Sequence, residues 1–137
     1  MPNLLRGINH TLAALTSNGG AFHAAWREAA SGERWSGEWK SQANGHHGAL
    51  RCVLRRRENG KWDAWFHARY ARFLRVCYEV ELAARPDGAH FLLAGESDLG
   101  ALAGGIYKYD GELAGNHLHC TYRCRYDHGV FTLARGG

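Results

Sequence analysis

The sequence predicts an all-β protein with a short helical N-terminus, in which an antiparallel meander of about eight strands closes into a barrel. From Trp35 onwards, apolar and polar residues alternate with a period of two, as they do on strands with one buried face. Short segments rich in Gly, Asn and Asp separate these strands and favour tight turns. A meander of this size protects its strand edges by closing, and eight strands enclose either packed side chains or one small ligand.

The composition is typical of a single globular domain. The 137 residues are 45% hydrophobic and 22% charged, which excludes a disordered chain. The net charge is +4, and we interpret arginine-rich segments such as residues 55–57 as a solvated basic face, so nucleic acid is not an expected partner. The sequence contains no apolar run of transmembrane length and no recognisable signal peptide, and we therefore expect a cytoplasmic protein with reduced thiols.

Residues 1–34 form a predicted helical lead-in to the barrel of residues 35–137. A first apolar stripe recurs at helical spacing and is followed by a break at Asn18-Gly19-Gly20. A second short helix is predicted over residues 21–30, with Phe22 and Trp26 on one face. These helices are expected to cover one end of the barrel, to pack on its side or to form a homodimer contact. The first stripe consists of Leu5, Ile8, Leu12 and Leu15.

The first four strands alternate clearly between apolar and polar residues. Glu58-Asn59-Gly60-Lys61 predicts a hairpin, because Asn-Gly accepts the positive φ angles of a tight turn. A further turn is expected near Ala71 and Arg72, and Arg85-Pro86-Asp87-Gly88 predicts another. The predicted strands in this half are residues 36–41, 50–54, 62–68 and 74–82.

The second half continues the same pattern with a longer loop. A strand over residues 89–96 leads into a glycine-rich loop at residues 97–104. The next strand begins at Gly105, and Asp110-Gly111 predicts a bend or bulge in it. Alternation resumes over residues 117–124, and a final strand over residues 130–135 places Arg135 near its end.

Gly37-Glu38-Trp39 on the first strand and Arg135 on the last resemble the calycin superfamily, which includes lipocalins, fatty-acid-binding proteins and avidins. In that superfamily a tryptophan near the start of the barrel packs against a basic side chain near its end. The resemblance implies that Trp39 and Arg135 close the bottom of the barrel. It also implies that the barrel binds a small hydrophobic molecule, although a fold by itself does not establish a function.

The leading hypothesis is a binding protein with a hydrophobic or aromatic ligand in its lumen, for which a tetrapyrrole is one candidate. A barrel isomerase or cyclase acting on a hydrophobic substrate is a second hypothesis, and an oligomerisation or interaction module with a solid core is a third. The sequence identifies neither a cofactor nor a catalytic residue. The candidate ligand-binding residues are Trp62, Phe66, Tyr78, Phe91, Tyr107 and Tyr122.

The histidines and cysteines are interpreted as exposed side chains and free thiols. His117 and His119 share one strand face and His46-His47 lies in a loop, but no third ligand is evident, so we predict no metal site. Cys120 and Cys124 lie too far apart along an extended chain for an easy disulfide, and buried free thiols are expected.

Overall fold

The structure, a computed structural model, describes residues 19–70, 74–100 and 105–136. Within these residues the chain forms one helix and eight strands. The helix is α1 (Gly19–Glu28), and the strands are β1 (Arg34–Ser41), β2 (His47–Arg56), β3 (Lys61–Tyr70), β4 (Leu74–Asp87), β5 (His90–Asp98), β6 (Ile106–Ala114), β7 (His117–Arg123) and β8 (His128–Arg135).

The strands pair in chain order and form a closed antiparallel barrel, which confirms the predicted fold class. The barrel closes through β1 and β8, where Trp35 is opposite Arg135 and Trp39 is opposite Phe131. This architecture agrees with the one that the calycin resemblance implies. We call the end where β1 begins the first end of the barrel, and the end where β1 finishes the second end.

Helix α1 packs on the outside of β2, β3 and β4. Its Phe22 and Ala25 are buried against Val53 and Cys77, two residues that point outward from the barrel. The Arg51 guanidinium lies 5.4 Å from the Phe22 ring centroid, a cation–π geometry that helps to hold the helix on the wall. The helix predicted over residues 21–30 is therefore present, two residues earlier than expected, whereas the predicted stripe at residues 5–15 lies outside the described residues. No helix in the described part of the chain is long and apolar enough to cross a membrane.

The predicted pairing of Trp39 with Arg135 is wrong. Arg135 instead covers Trp35, with its guanidinium carbon 4.4 Å from the ring centroid, because these two residues are directly opposite in the β1–β8 ladder. Trp39 lies further along β1 and stacks on Tyr70, with ring centroids 5.4 Å apart. Its indole N–H donates to the Arg69 carbonyl oxygen at 2.9 Å. The tryptophan–arginine pair thus lies at the first end, and Trp39 contributes to the second.

One predicted bend is straight strand in the structure, and one predicted turn lies later in the chain than expected. Gly111 continues β6, because its lack of a side chain leaves room for Cys120: a Cβ there would lie 2.3 Å from the sulfur. Pro86 lies within β4, opposite Phe91, and the chain turns only at Gly88, whose φ is 62°. The Asn59-Gly60 hairpin is present as predicted, with the Arg57 N–H donating to the Lys61 carbonyl oxygen at 2.9 Å.

The ladder between β4 and β5 covers only part of these strands. β4 pairs with β3 over residues 74–83 but with β5 only over residues 82–87. Beyond the Leu82–Gly95 pair, no strand pairing joins residues 74–81 to residues 96–98 within the described part of the chain. We call this unpaired stretch of the wall, between residues 74–81 of β4 and 96–98 of β5, the seam.

Candidate lumen site

The centre of the lumen holds a cluster of aromatic rings from five strands. Phe66 stacks on Tyr78 at a centroid distance of 5.2 Å, and Tyr122 lies 5.0 Å from Phe131. Tyr107 and Tyr122 are 6.4 Å apart, so four of the six predicted site residues belong to this one cluster. Each of them belongs to the inward-facing series of its strand, in which every second residue is buried.

Tyr109 completes the cluster and was missed by the sequence prediction. Its ring lies 6.4 Å from both Phe66 and Tyr78 and 6.5 Å from Tyr107. The signal was available, because Tyr109 is two residues after Tyr107 and therefore shares its inward face. The bend predicted at Asp110-Gly111 interrupts that alternation one residue later.

The other two predicted site residues lie apart from the cluster, at the first end. The rings of Trp62 and Phe91 are 4.9 Å apart. The Arg56 guanidinium lies 4.6 Å from each ring centroid, while its own side chain is exposed to solvent. This group covers the first end with a cation over two rings.

Tyr78 has a buried hydroxyl with no hydrogen-bond partner among the described residues. The residue is 4% exposed, and burial, together with the neighbouring Tyr109 phenol, raises its pKa well above the ordinary value. The Tyr109 hydroxyl, itself 2.8 Å from Ser97 Oγ, is near enough to raise that pKa further but is not in hydrogen-bonding geometry with Tyr78. An unsatisfied buried hydroxyl costs about 1–3 kcal/mol, so its presence in the lumen calls for an explanation.

Burial also favours the neutral form of four further lumen side chains. Burial raises the pKa of Tyr107 and Tyr122 above the usual phenol value. Burial likewise raises the pKa of Cys120 to about 12 and places that of Cys52 well above its ordinary value. The lumen therefore presents uncharged hydrogen-bonding groups among aromatic rings, a lining suited to an uncharged or weakly polar molecule.

A buried carboxylate closes the second end. Asp127 is 2% exposed, and its two oxygens accept hydrogen bonds from Ser41 Oγ at 2.6 Å and from the Tyr122 hydroxyl at 3.3 Å. Asp127 is an ionisable group of the kind that the isomerase or cyclase hypothesis requires, but these bonds tie together two turns of the barrel and favour a structural role. Of the Ser41–Asp127 pair, only Ser41 is indicated by the sequence pattern, because it continues the inward series of β1 after Trp39.

The histidines and cysteines singled out in the sequence do not form a site. His117 and His119 lie exposed on the outside of β7. His46 approaches the Tyr70 hydroxyl, with Nδ1 3.2 Å from it. No group of three or more His, Cys, Asp or Glu side chains suited to a metal occurs in residues 19–70, 74–100 and 105–136. Cys120 and Cys124 are free thiols.

Two clefts lie on the outer surface of the barrel. One, of about 450 Å³, lies at the first end between the chain after α1 and the end of β8, with Arg34, Asn116 and Arg135 in its wall. The Arg135 guanidinium is already occupied there, since Nη2 donates to the Gly115 carbonyl oxygen at 3.0 Å and Nε to Asn116 Oδ1 at 3.2 Å. The other, of about 300 Å³, lies over the β5–β6 ladder near Gly95 and Lys108. Neither cleft contains the predicted site residues.

No protein-family model and no curated protein matches the chain. Two crystal structures of variants of the fluorescent protein UnaG are similar to it in fold. The first is 12% identical, with a TM-score of 0.41, over 76% of this chain and 94% of the other. The second is 13% identical, with a TM-score of 0.38, over 73% of this chain and 94% of the other. Similarity at this level carries no conclusion about what the chain binds.

Proposed function

We propose that the protein binds one compact aromatic molecule in the barrel lumen, against the central rings and in hydrogen-bonding contact with Tyr78. The observation that carries this proposal is the Tyr78 hydroxyl, which is buried without a partner among the described residues. A folded protein tolerates such a group where a ligand supplies the missing bond. Hydroxyls among aromatic rings are also the usual means of orienting a small molecule in a pocket.

Ligand size follows from the ring spacing. Neighbouring rings in the cluster are 5.0–6.5 Å apart, so an inserted molecule must displace them. A molecule of two or three fused rings requires a smaller displacement than a tetrapyrrole does. A tetrapyrrole is the larger candidate and requires the cluster to separate across the whole lumen.

A solid-core interaction module is the second candidate function. The mutual contacts of the rings favour it, because Phe66, Tyr78, Tyr122 and Phe131 fill the centre of the barrel between them. In that case the lumen serves stability alone, and the function lies on the outer surface. Only the lumen-binding candidate requires the Tyr78 hydroxyl to contribute to ligand affinity.

Replacing Tyr78 with Phe distinguishes these candidates. Acridone, a neutral tricyclic fluorophore with an N–H and a carbonyl group, is a suitable probe. We expect Tyr78→Phe to weaken acridone binding about tenfold, the effect of one lost hydrogen bond. The same variant should gain about 1 kcal/mol of unfolding free energy without ligand, because it removes an unsatisfied buried hydroxyl.

Tyr126→Phe is the matched control, since it removes the same atom from a side chain that is 49% exposed. Both variants are titrated with acridone by fluorescence and unfolded with denaturant. Equal affinity in the two variants, or no binding to the unmodified protein, contradicts the proposal and leaves the solid-core module.

A further inference from the structure

We infer that the Trp35 indole N–H is a second recognition group of the lumen, and that it selects ligands carrying a neutral carbonyl group, such as a ketone or a lactam. The inference rests on the proposed lumen binding and adds to it the functional group that the ligand presents. Its failure is distinguishable from failure of the proposed function, because the two depend on different side chains.

Trp35 carries a buried donor that has no hydrogen-bond partner among the described residues. The residue is 1% exposed and belongs to the core cluster inside the barrel. Trp39, further along the same inward face of β1, differs in that its N–H donates to the Arg69 carbonyl oxygen at 2.9 Å. An indole N–H donates but does not accept, and leaving it unsatisfied costs about 1–3 kcal/mol, so a bound acceptor would remove this cost.

Arg135, which covers the Trp35 ring, has no acceptor to offer, because a guanidinium carries only donors. Its guanidinium carbon is 4.4 Å from the ring centroid. Its N–H groups donate to the carbonyl oxygens of Gly32 and Gly115 and to Asn116 Oδ1. A cation over the ring face draws electron density from the indole, which makes the N–H a stronger donor.

Trp35 and Tyr78, whose polar groups are both unsatisfied, lie on one row of the sheet. In successive strand pairs, Trp35 is opposite Cys52, Cys52 is opposite Phe66, and Phe66 is opposite Tyr78. Neighbouring strands are about 4.8 Å apart, so three such steps separate the two residues by about 14 Å along the wall. Their polar atoms are closer than this, because both side chains point inward. A molecule of two or three fused rings with a polar group on each side suits this spacing.

The acceptor is expected to be neutral. In residues 19–70, 74–100 and 105–136, the buried polar or charged side chains are Ser41, His67 and Asp127, so no buried Lys or Arg is present. His67 lies against α1 on the outside of the barrel, and Asp127 is itself a carboxylate. A ligand carboxylate would therefore lose its hydration without gaining a buried cation, whereas a carbonyl oxygen loses much less on burial.

Two tricyclic probes of nearly equal shape test the inference. Acridone carries a carbonyl group and an N–H, and dihydroacridine keeps the N–H but has a methylene group in place of the carbonyl. We expect Trp35→Phe to weaken acridone binding about tenfold, the effect of one lost hydrogen bond, and to change dihydroacridine binding by less than about twofold. Dissociation constants are measured by isothermal titration calorimetry. The loss of ring area in the variant affects both probes alike, so their difference isolates the carbonyl group.

Trp39→Phe is the matched control, since it removes an indole N–H that is already bonded to the protein. It should change the affinity for both probes equally. An anthracene carboxylate, an anion of similar size, should bind the unmodified protein more weakly than acridone does.

Proton–nitrogen correlation NMR of the unmodified protein gives a readout that does not depend on how the variant folds. The Trp35 indole proton should move downfield when acridone binds and should change little with dihydroacridine. An indole signal that acridone leaves in place, equal losses for both probes in Trp35→Phe, or tighter binding of the anthracene carboxylate than of acridone overturns the inference.

The proposed lumen function has its own outcome in the same experiment. If the inference is overturned but acridone binding still depends on Tyr78, ligand binding in the lumen stands and only the role of Trp35 is wrong. If neither acridone nor dihydroacridine binds the unmodified protein, the proposed lumen function fails, and the inference fails with it.

Discussion

Gly37 on β1 lies where the barrel closes against β8. A Cβ on Gly37 would lie 1.9 Å from the Thr132 carbonyl oxygen and 2.8 Å from Leu133 Cα. Both are backbone atoms of β8 and cannot rotate away. The glycine of the Gly-x-Trp motif therefore allows β1 and β8 to approach each other, which is a structural role rather than a ligand-binding one.

We predict that Gly37→Ala lowers the unfolding free energy by about 3 kcal/mol, because the two strands must separate to admit the methyl group. Gly20→Ala is the control, since no atom lies within 4 Å of a Cβ at that position of α1. This control should not lose stability, because an added methyl group meets no neighbouring atom there. Denaturant unfolding of both variants checks the prediction, and a Gly37→Ala protein as stable as the original would contradict it.

The Gly-x-Trp motif predicts a tryptophan–arginine pair but not which tryptophan forms it. The sequence has tryptophans on the first strand and an arginine on the last, and the structure brings one such pair together. The sequence alone does not show whether Trp35 or Trp39 is the partner, since both lie on the inward face of β1. The choice depends on the register with β8, which is set by turn lengths elsewhere in the barrel.

At the scale of elements, α1 packs over a buried histidine in the barrel wall. His67 is 6% exposed and lies 5.0 Å from the Phe22 ring and 5.8 Å from the His23 ring. Burial lowers its pKa, and Arg51 on β2, His23 on α1 and Arg75 on β4 lower it further. Cys77 of β4, directly opposite His67, carries a thiol whose own pKa is raised by burial.

We predict a loss of stability in mild acid that depends on His67. The folded state holds this imidazole neutral, so its contribution is present above the unfolded pKa of about 6.5 and is lost as the pH falls below it. Denaturant unfolding at pH 7.5 and 5.5 should show a larger loss for the original protein than for His67→Gln. His119→Gln, an exposed control, should keep the full pH dependence. The same pH dependence in all three proteins would contradict the prediction.

The positions of the strands were more predictable than the residues at which they end. Period-two alternation located every strand of the barrel, because inward and outward positions differ in burial along each of them. Turn residues were less reliable: Pro86 and Gly111 signal turns locally, but tertiary contacts hold both in strands. The seam had no local signal, because it depends on the register between β4 and β5, which the sequence does not show.

At the scale of the whole molecule, the lumen contains thiols and phenols that lose their protons only in strong alkali. Burial raises the pKa of Cys120 from its ordinary value of 9.0 to about 12. The folded protein therefore holds a proton that the unfolded chain releases, and the stabilising effect present below pH 9 is lost as the pH rises towards 12. The lumen tyrosines act in the same direction, starting near pH 10.

We predict that the unfolding free energy falls steeply above pH 9, by about 1.4 kcal/mol per pH unit for each fully shifted group. Cys120→Ala should lower stability at every pH but reduce the slope between pH 9 and 11 by about one such group. Denaturant unfolding at pH 8, 9.5 and 11 measures the slope. An unchanged slope would show that the thiol does not hold its proton inside the barrel.

The division into a helical lead-in and a barrel domain, the cytoplasmic location and a homodimer through the N-terminal helices stay predictions. The lumen residues were predictable as a set, since five strands each contribute inward aromatic rings. Their chemistry was not, because the unsatisfied hydroxyl of Tyr78 depends on distances that only the folded barrel defines.

Native mass spectrometry of the protein purified from its own host tests the central claim most directly. We expect one small molecule bound to each chain, released when the barrel is denatured, and a smaller bound fraction in Tyr78→Phe than in Tyr126→Phe. A spectrum that shows only the mass of the bare chain, under conditions that keep the barrel folded, would contradict ligand binding in the lumen.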